Sequence, residues 1–238
     1  MKTLLLVTGM ALAISSSGSA AVMPCAAGSL SSFISLSMGC TVNDQLFTGF
    51  ETLTLPAGTT GISSSAITVT PITTAMLPGF LFTLNSSATS SQLFGTVVAF
   101  NDTPVAGGQI ITDAHLTQNG GTATLTGGVT GVESICLSGS IGPTGACSGT
   151  PAGRNLGTFA VDGLTQATDA LTFLVPRTSV GVTGNFGIQG GGIGTASVTS
   201  FAIQLSTSPV PEPATILLCG CGLLCAGLLR RRAGQGKA

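Results

Sequence analysis

His115 is the only histidine in the chain, and Asp113 precedes it by two residues. On a β-strand, side chains two apart point to the same face, so this carboxylate and imidazole would meet. Such a pair can orient an imidazole for base catalysis, but a nucleophile must complete the site. The chain has no Gly-x-Ser-x-Gly motif, and no serine stands out by its surroundings. The pattern therefore favours a hydrogen-bonded surface pair over a catalytic group.

Paired carboxylates are the other chemistry that the composition permits. Glycoside hydrolysis needs two carboxyl groups close in space, and the sequence nominates no such pair, so this alternative stays open. The glycine-rich stretch 190–194 does not fit a nucleotide-binding fingerprint and indicates a loop. We therefore predict a protein that is not an enzyme, with no catalytic residue and no cofactor. The acids outside the C-terminal segment are Asp44, Glu51, Asp102, Asp113, Glu133, Asp162 and Asp169.

Four cysteines lie between residues 22 and 209: Cys25, Cys40, Cys136 and Cys147. An even count in an exported domain indicates disulfides, and four cysteines allow three pairings. We favour Cys25–Cys40 and Cys136–Cys147, because short loops close easily. A zinc site is the rival interpretation, but it needs closely spaced pairs such as Cys-x-x-Cys, and the chain has none here. We predict no metal.

The C-terminal segment has a fixed order of elements. Val210-Pro211-Glu212-Pro213 precedes an uncharged apolar run, 214–229, and then Arg230, Arg231 and Arg232. The two prolines favour an extended strip before a helix that opens near Pro213. As a helix the run would span about 24 Å, slightly short of a bilayer core, which flanking arginines can tolerate by snorkelling. Arginines stay on the cytoplasmic side, so the preceding domain would lie outside the cell.

These residues resemble the PEP-CTERM sorting signal of bacterial surface proteins. The resemblance covers about the last twenty-five residues and includes the motif, the short apolar run and the terminal arginines in the family's order. It implies that an exosortase-type membrane enzyme recognises Pro211, Glu212 and Pro213, and that helix 214–229 is a transient anchor in the inner membrane. It also implies an exported protein of bacteria that make extracellular polysaccharide, which is a candidate partner.

The N-terminal segment predicts a signal peptide over residues 1–21. Lys2 supplies positive charge, an apolar stretch follows, and a run of small residues suited to signal peptidase ends at Ala21. Cleavage is expected after Ala20 or Ala21, and the sequence does not choose between them. The domains are then the signal peptide 1–21, an exported domain 22–209 and a sorting signal 210–234. The exported domain has two arginines against seven acids, a formal charge of −5. So few cations exclude nucleic-acid binding.

The exported domain is predicted to be all-β. Short runs rich in β-branched residues alternate with Gly, Pro, Asn, Asp and Ser clusters, which favours an antiparallel β-sandwich or jelly-roll. A helix is expected over Ser29–Met38, and Asn119-Gly120 is expected to form a hairpin turn. Phe47 and Phe50 are expected in the core. The predicted strands are Ala66–Ile72, Phe80–Leu84, Gln92–Phe100, Gln109–Leu116, Thr122–Val129, Thr158–Val161, Ala170–Val175, Ser179–Thr183 and Thr195–Leu205.

Two function classes follow. The first is a non-catalytic surface or extracellular-matrix protein delivered by its C-terminal signal. The second is a secreted carbohydrate-binding module or polysaccharide-acting enzyme with the same signal. Sugar-binding surfaces favour Trp and Tyr, and the chain has neither, so the first class is preferred.

Overall fold

The computed structural model describes residues 22–105 and 109–209. The predicted signal peptide, the sorting motif 210–213, the apolar segment 214–229 and the arginine cluster lie outside the described residues. Within the described part of the chain, no helix has both the length and the apolarity needed to span a membrane. The signal helix and the C-terminal membrane helix therefore stay predictions.

The described residues form one short helix and sixteen strands. Most strands are bounded by turns with Gly, Asn, Asp or Ser, as the sequence indicated. In chain order the elements are β1 Gly28–Ser29, α1 Leu30–Ile34, β2 Cys40–Val42, β3 Gln45–Thr52, β4 Thr60–Gly61, β5 Thr68–Ile72, β6 Gly79–Ala88, β7 Leu93–Pro104, β8 Gln109–Asn119, β9 Thr122–Thr124, β10 Gly128–Leu137, β11 Thr150–Pro151, β12 Leu156–Val161, β13 Leu164–Gln166, β14 Thr168–Arg177, β15 Val180–Gln189 and β16 Thr195–Pro209.

The strands build two sheets. The smaller sheet has seven strands in the order β1-β5-β6-β16-β8-β14, with β9 beside β16. The larger sheet has nine in the order β13-β12-β10-β15-β7-β3-β2, with β11 beside β10 and β4 beside β7. All pairings are antiparallel except that of β4 with β7. The consecutive long strands β15 and β16 lie in the interior of the larger and the smaller sheet, respectively. The predicted all-β antiparallel sandwich is confirmed.

Alternating burial explains why the sheets face each other. Along β12, Leu156, Thr158 and Ala160 are buried while the residues between them are partly exposed. Because successive side chains of a strand point to opposite faces, this period-two pattern places one apolar face of each sheet inside. One continuous core of aliphatic and aromatic side chains fills the space between the sheets.

A layer of phenylalanine rings joins the two sheets. Phe186 of β15 stacks on Phe201 of β16 with ring centroids 4.3 Å apart and planes within 8°. Phe80 of β6 meets Phe47 of β3 edge to face, with a centroid separation of 4.7 Å. Aromatic side chains bury more area than other core residues, and such contacts add to the stability gained by burial. The rings therefore hold the sandwich closed.

A β-bulge turns both Phe47 and Phe50 inward. Residues three apart on a regular strand would face opposite sides, yet both rings are buried. The pairing of β3 with β7 shifts between Thr48 and Glu51, so one extra residue lies on β3. Gly49 sits in this bulge with φ +65°, a backbone conformation that glycine adopts without strain. The predicted core role of both phenylalanines is confirmed.

The predicted helix Ser29–Met38 is shorter in the structure. It spans Leu30–Ile34, and the Ser29 side chain caps it by accepting from the Ser32 N–H. Leu30 and Phe33 are buried, whereas Ile34 and Leu36 are 38% and 40% exposed. The apolar face is too narrow to hold more than one turn against the core, so the helix ends early.

The predicted hairpin at Asn119-Gly120 is wrong. Gly120 has φ +63°, as a turn glycine would, but β8 and β9 do not pair with each other. Both pair with β16, Asn119 opposite Ser200 and Thr122 opposite Ser197. Gly120 and Gly121 separate β8 from β9, and both strands pair with β16. The predicted strand Thr122–Val129 is likewise divided between β9 and the start of β10.

Phe80 offers a direct test of the aromatic layer. Its ring contacts those of Phe33, Phe47, Phe50, Phe82 and Phe100. Phe80→Ala should lower the free energy of unfolding by about 3–5 kcal/mol, because it leaves a cavity among side chains that cannot collapse onto it. Chemical denaturation measures this. Leu174→Ala, at a fully exposed position, is the control and should change stability by less than about 0.5 kcal/mol. Equal losses would contradict the assignment.

Candidate functional site

The four candidate cysteines form the two predicted disulfides. Cys25 pairs with Cys40, with Cα atoms 4.9 Å apart, and Cys136 pairs with Cys147, at 5.3 Å. Disulfides persist in oxidising compartments, so the two bridges indicate an extracellular or periplasmic protein. Among the described residues, no group of His, Cys, Asp or Glu side chains gathers as metal ligands.

The first disulfide ties the N-terminal segment to the sandwich. Cys40 begins β2 and lies opposite Phe47 of β3, so the bridge joins the chain before α1 to the edge of the larger sheet. The backbone supports the same contact, since the Cys25 N–H donates to the Thr41 carbonyl at 2.8 Å. Closing a loop of this size contributes about 3 kcal/mol in the chain-entropy account.

The second disulfide holds the loop after β10 against the outer face of the larger sheet. Cys136 and Ile141 form a small apolar cluster there with Ala99 of β7. Asn101 fixes this loop from the neighbouring strand: its Oδ1 accepts from the Ile141 N–H at 2.7 Å. Both disulfides therefore act as structural ties at the margins of the fold.

The structure brings His115 and Asp113 together on the outward side of β8. Their Nε2 and Oδ1 atoms are 2.6 Å apart. Ser206 of β16 approaches the same Nε2 at 3.3 Å. A catalytic triad needs the carboxylate and the hydroxyl on opposite ring nitrogens, so that the base can take the hydroxyl proton. Here both oxygens compete for one nitrogen. The group is a surface hydrogen-bond cluster, and the sequence-based interpretation agrees with this geometry.

A cleft of about 270 Å³ opens at the end of the sandwich where β3, β8 and β16 meet. The Gln45–Gln109 hydrogen bond at 3.1 Å crosses from the larger to the smaller sheet beneath it. The walls of the cleft combine amide, carboxylate and hydroxyl groups with an apolar part. The polar residues are Asn43, Asp44, Gln45, Thr73, Gln109 and Thr207, and the apolar ones are Ala75, Met76 and Pro78.

Sequence analysis did not identify this cleft. Gln45 and Gln109 are 64 residues apart, and no spacing rule links them. The structure shows that Gln45 is a fully buried amide, although the other buried positions along β3 are apolar. Buried amides need partners, so such a residue points to a polar contact across the core.

A buried carboxyl lies behind the cleft. Asp102 of β7 has no exposed surface, and burial raises the pKa of its side chain well above the ordinary aspartate value, with the Thr103 backbone N–H opposing this. Gln45 Oε1 lies 3.1 and 3.3 Å from the two Asp102 oxygens. Asp102, Gln45, Gln109 and Asp44 thus form a continuous chain from the core to the surface.

A second carboxyl, Glu133 of β10, is buried near the opposite edge of the larger sheet. It has no exposed surface, and neither oxygen has a hydrogen-bond partner among the described residues. Burial and then the charge of Asp169 raise the pKa of Glu133 well above its ordinary value. The neutral acid is therefore favoured in the folded protein.

Asp169 of β14 has the opposite electrostatics. Arg154 binds it with two hydrogen bonds, at 2.8 and 3.1 Å, and this holds the pKa of Asp169 at about 2. The Gly157 N–H also donates to it, at 2.9 Å. A neutral acid beside an ionised carboxylate is the division of roles that glycoside hydrolysis uses. Because Glu133 has no access to solvent, no substrate can reach it, and the pair does not form such a site.

The sorting residues Val210, Pro211, Glu212 and Pro213 and the cluster Arg230–Arg232 lie outside the described residues. The structure does show where the preceding domain ends. Strand β16 runs to Pro209, which lies opposite Gln109 of β8. In the sequence, the motif begins at the residue after this last strand.

No protein-family model matches the chain, and no curated protein matches it either. Among solved structures, one similar chain is the enzymatically active domain of tailspike protein 4 of bacteriophage CBA120. The identity is 15% and the TM-score 0.27, and the match covers 71% of this chain and 20% of the tailspike chain. A likeness of that size carries no argument about either fold or activity.

Glu133 yields a prediction about pH. The pKa of its side chain is raised in the fold, so its contribution to stability is complete below the unfolded pKa, near 4.3, and is lost as pH rises through the folded pKa. Glu133→Gln removes the titration and should raise the melting temperature at pH 7 by a few degrees, with the gain vanishing near pH 4. Calorimetry between pH 4 and 8 measures this.

The control for Glu133 is Asp162→Asn, at an exposed turn between β12 and β13. This substitution removes a carboxyl group at an exposed position and leaves the buried groups unchanged. A Glu133→Gln offset that is constant at all pH values would show that the buried acid does not titrate differently in the two states.

Proposed function

We propose that the chain is an exported, non-catalytic bacterial protein of the cell surface or extracellular matrix, sorted through its C-terminal segment. An exosortase-type membrane enzyme would recognise Pro211, Glu212 and Pro213. The apolar helix 214–229 would anchor the chain transiently in the inner membrane, with Arg230–Arg232 on the cytoplasmic side.

The observation that carries this proposal is a disulfide-bonded sandwich that is finished one residue before the motif. Strand β16 is hydrogen-bonded on both sides, to β6 and to β8, and ends at Pro209. No residue of 210–238 is needed to complete the pairing of the described strands. A sorting signal must be accessible after the domain has folded, and this arrangement supports that requirement.

The geometry of the polar groups supports a non-catalytic role. The histidine cluster lacks the triad arrangement, since Asp113 and Ser206 share one ring nitrogen. The Glu133 carboxyl, near Asp169, is fully buried. Both arrangements are unfavourable for acting on a substrate.

Glu212 is the residue that tests the sorting proposal. Glu212→Ala should leave export through the inner membrane intact and abolish C-terminal processing, because the charged group of the recognition strip is lost. Fractionation with mass spectrometry of the chain's C-terminus measures this. Ser208→Ala, near the end of β16 just before the motif, is the matched control and should be processed as the parent. Normal processing of Glu212→Ala would rule the motif out.

A second candidate function is carbohydrate binding at the cleft. The favouring observation is its lining of amides, one carboxylate and hydroxyl groups around a small apolar floor, which suits the hydroxyl groups and the ring face of a sugar. The lack of Trp and Tyr in the chain counts against a stacking platform. Binding would therefore depend mainly on hydrogen bonds.

A glycan array probed with the exported protein tests this candidate. If a saccharide binds, Asp44→Ala should weaken binding at least tenfold, because charge-assisted hydrogen bonds each contribute about 1.5–3 kcal/mol. Asp162→Ala, at an exposed aspartate outside the cleft lining, is the control and should bind as the parent. Absence of binding to any arrayed polysaccharide, or binding unaffected by Asp44→Ala, would reject the cleft as the site.

A further inference from the structure

Four polar side chains connect the core to the cleft without a gap. Gln45 Oε1 lies 3.1 Å from Asp102 Oδ1, Gln45 Nε2 donates to Gln109 Oε1 at 3.1 Å, and Gln109 Nε2 donates to Asp44 Oδ2 at 2.9 Å. The first two residues belong to the larger sheet and Gln109 to the smaller one. The chain of contacts therefore spans the sandwich and ends at the surface.

The chemistry of the end groups fixes the number of protons in this chain. An ionised carboxylate only accepts hydrogen bonds, whereas each amide donates through nitrogen and accepts through oxygen. For Gln45 and Gln109 to hydrogen-bond to each other, the nitrogen of one must face the oxygen of the other. At one end of the chain, an amide oxygen then faces a carboxyl group. That contact needs a proton on the carboxyl. If both aspartates were ionised, at least one of the three contacts would bring two acceptors together.

Two arrangements satisfy all three contacts. In the first, Asp102 carries the proton and donates to Gln45 Oε1, and the amides donate outward to Asp44. In the second, both amides are turned round and Asp44 carries the proton. The oxygen and nitrogen of an amide have nearly the same shape, so the choice between the two arrangements rests on the surroundings of the two carboxyl groups. Turning Gln45 alone would let its nitrogen donate to Asp102 but would place its oxygen against Gln109 Oε1.

We propose that Asp102 is a carboxylic acid in the folded protein, and that its proton sets the direction of the Gln45–Gln109 chain so that Asp44 faces the cleft as an ionised acceptor. Burial decides between the two arrangements. Asp102 is fully buried and Asp44 is exposed, so water stabilises the negative charge at Asp44 and not at Asp102. Asp102 is a positioning residue and does not itself line the cleft.

The surroundings of Asp102 support this assignment. The residues opposite it on the neighbouring strands are Phe47 and Val180, both apolar. Of the groups that the chain of contacts brings to it, Asp44 is the titratable one. Burial raises the pKa of Asp102, and the Thr103 backbone N–H lowers it by a smaller amount. These effects act in the direction that the proton count requires.

The assignment specifies what the cleft can bind. Gln109 donates to Asp44 Oδ2, and among the described residues no side chain or backbone N–H donates to Oδ1. The cleft therefore offers a charged acceptor, and the matching ligand groups are hydrogen-bond donors such as saccharide hydroxyls. This use of the site rests on the second candidate function, whereas the location of the proton rests on the contacts and on the burial of Asp102.

Carbon NMR of the carboxyl groups tests the location of the proton directly. The exported protein, labelled with ¹³C at aspartate side chains and held in detergent micelles, is titrated from pH 4 to 8. At pH 7 the Asp102 carboxyl carbon should show the shift of a protonated acid, and Asp44 and the exposed Asp162 those of ionised carboxylates. An ionised shift for Asp102, or a protonated one for Asp44, would overturn the proposal.

Asp102→Asn provides a second readout, because the introduced amide nitrogen can donate to Gln45 Oε1 without carrying a titratable proton. The raised pKa of Asp102 means that its stabilising contribution is complete below the unfolded pKa, near 3.9, and falls as pH rises through the folded value. The variant should therefore melt a few degrees higher than the parent at pH 7 and at the same temperature near pH 4. Melting curves displaced equally at all pH values would contradict the assignment. Either outcome is independent of whether a sugar binds.

Discussion

Contact between phenylalanine rings across the two sheets is the interaction on which the rest of the structure depends. Each sheet has one apolar face, and the two faces are buried against each other. The rings of Phe80, Phe82 and Phe201 from the smaller sheet meet those of Phe47, Phe100 and Phe186 from the larger one. This layer runs through the middle of the sandwich. The cleft at Asp44 and the Arg154–Asp169 pair both lie outside the layer.

The two disulfides each tie a segment of the chain to the sheets. The segment before α1 and the loop after β10 contribute little to the main core, and each is held by one disulfide. Such ties are useful to a protein that folds outside the cytoplasm, where oxidation makes them available. They also remove the cysteines of the described domain from any catalytic or metal-binding role.

The two buried carboxyls show how the same burial leads to different outcomes. Asp102 is joined to the surface by two amides and so acquires a defined protonation state with a directional effect at the cleft. Glu133 has no such partner among the described residues and is simply held as a neutral acid beside the Arg154–Asp169 pair. An acid that ends a hydrogen-bond chain can orient other groups, whereas an isolated one only costs stability as pH rises.

The amino-acid sequence alone predicted the all-β class, because period-two alternation is a local property, and it favoured the observed cysteine pairing among three, because short loops close easily. It placed Phe47 and Phe50 in the core, although a bulge and not alternation turns both rings inward. It also carries the whole of the sorting hypothesis, since residues 210–234 stand outside the described domain. It did not predict β3, nor most of β10, because glycines and a bulge break their alternation. The pairing of β8 and β9 with β16, and the joining of Asp102 to Asp44 through two glutamines, were decided only by tertiary structure. Contacts of that kind depend on which strands become neighbours across the sandwich, and no spacing along the chain encodes them.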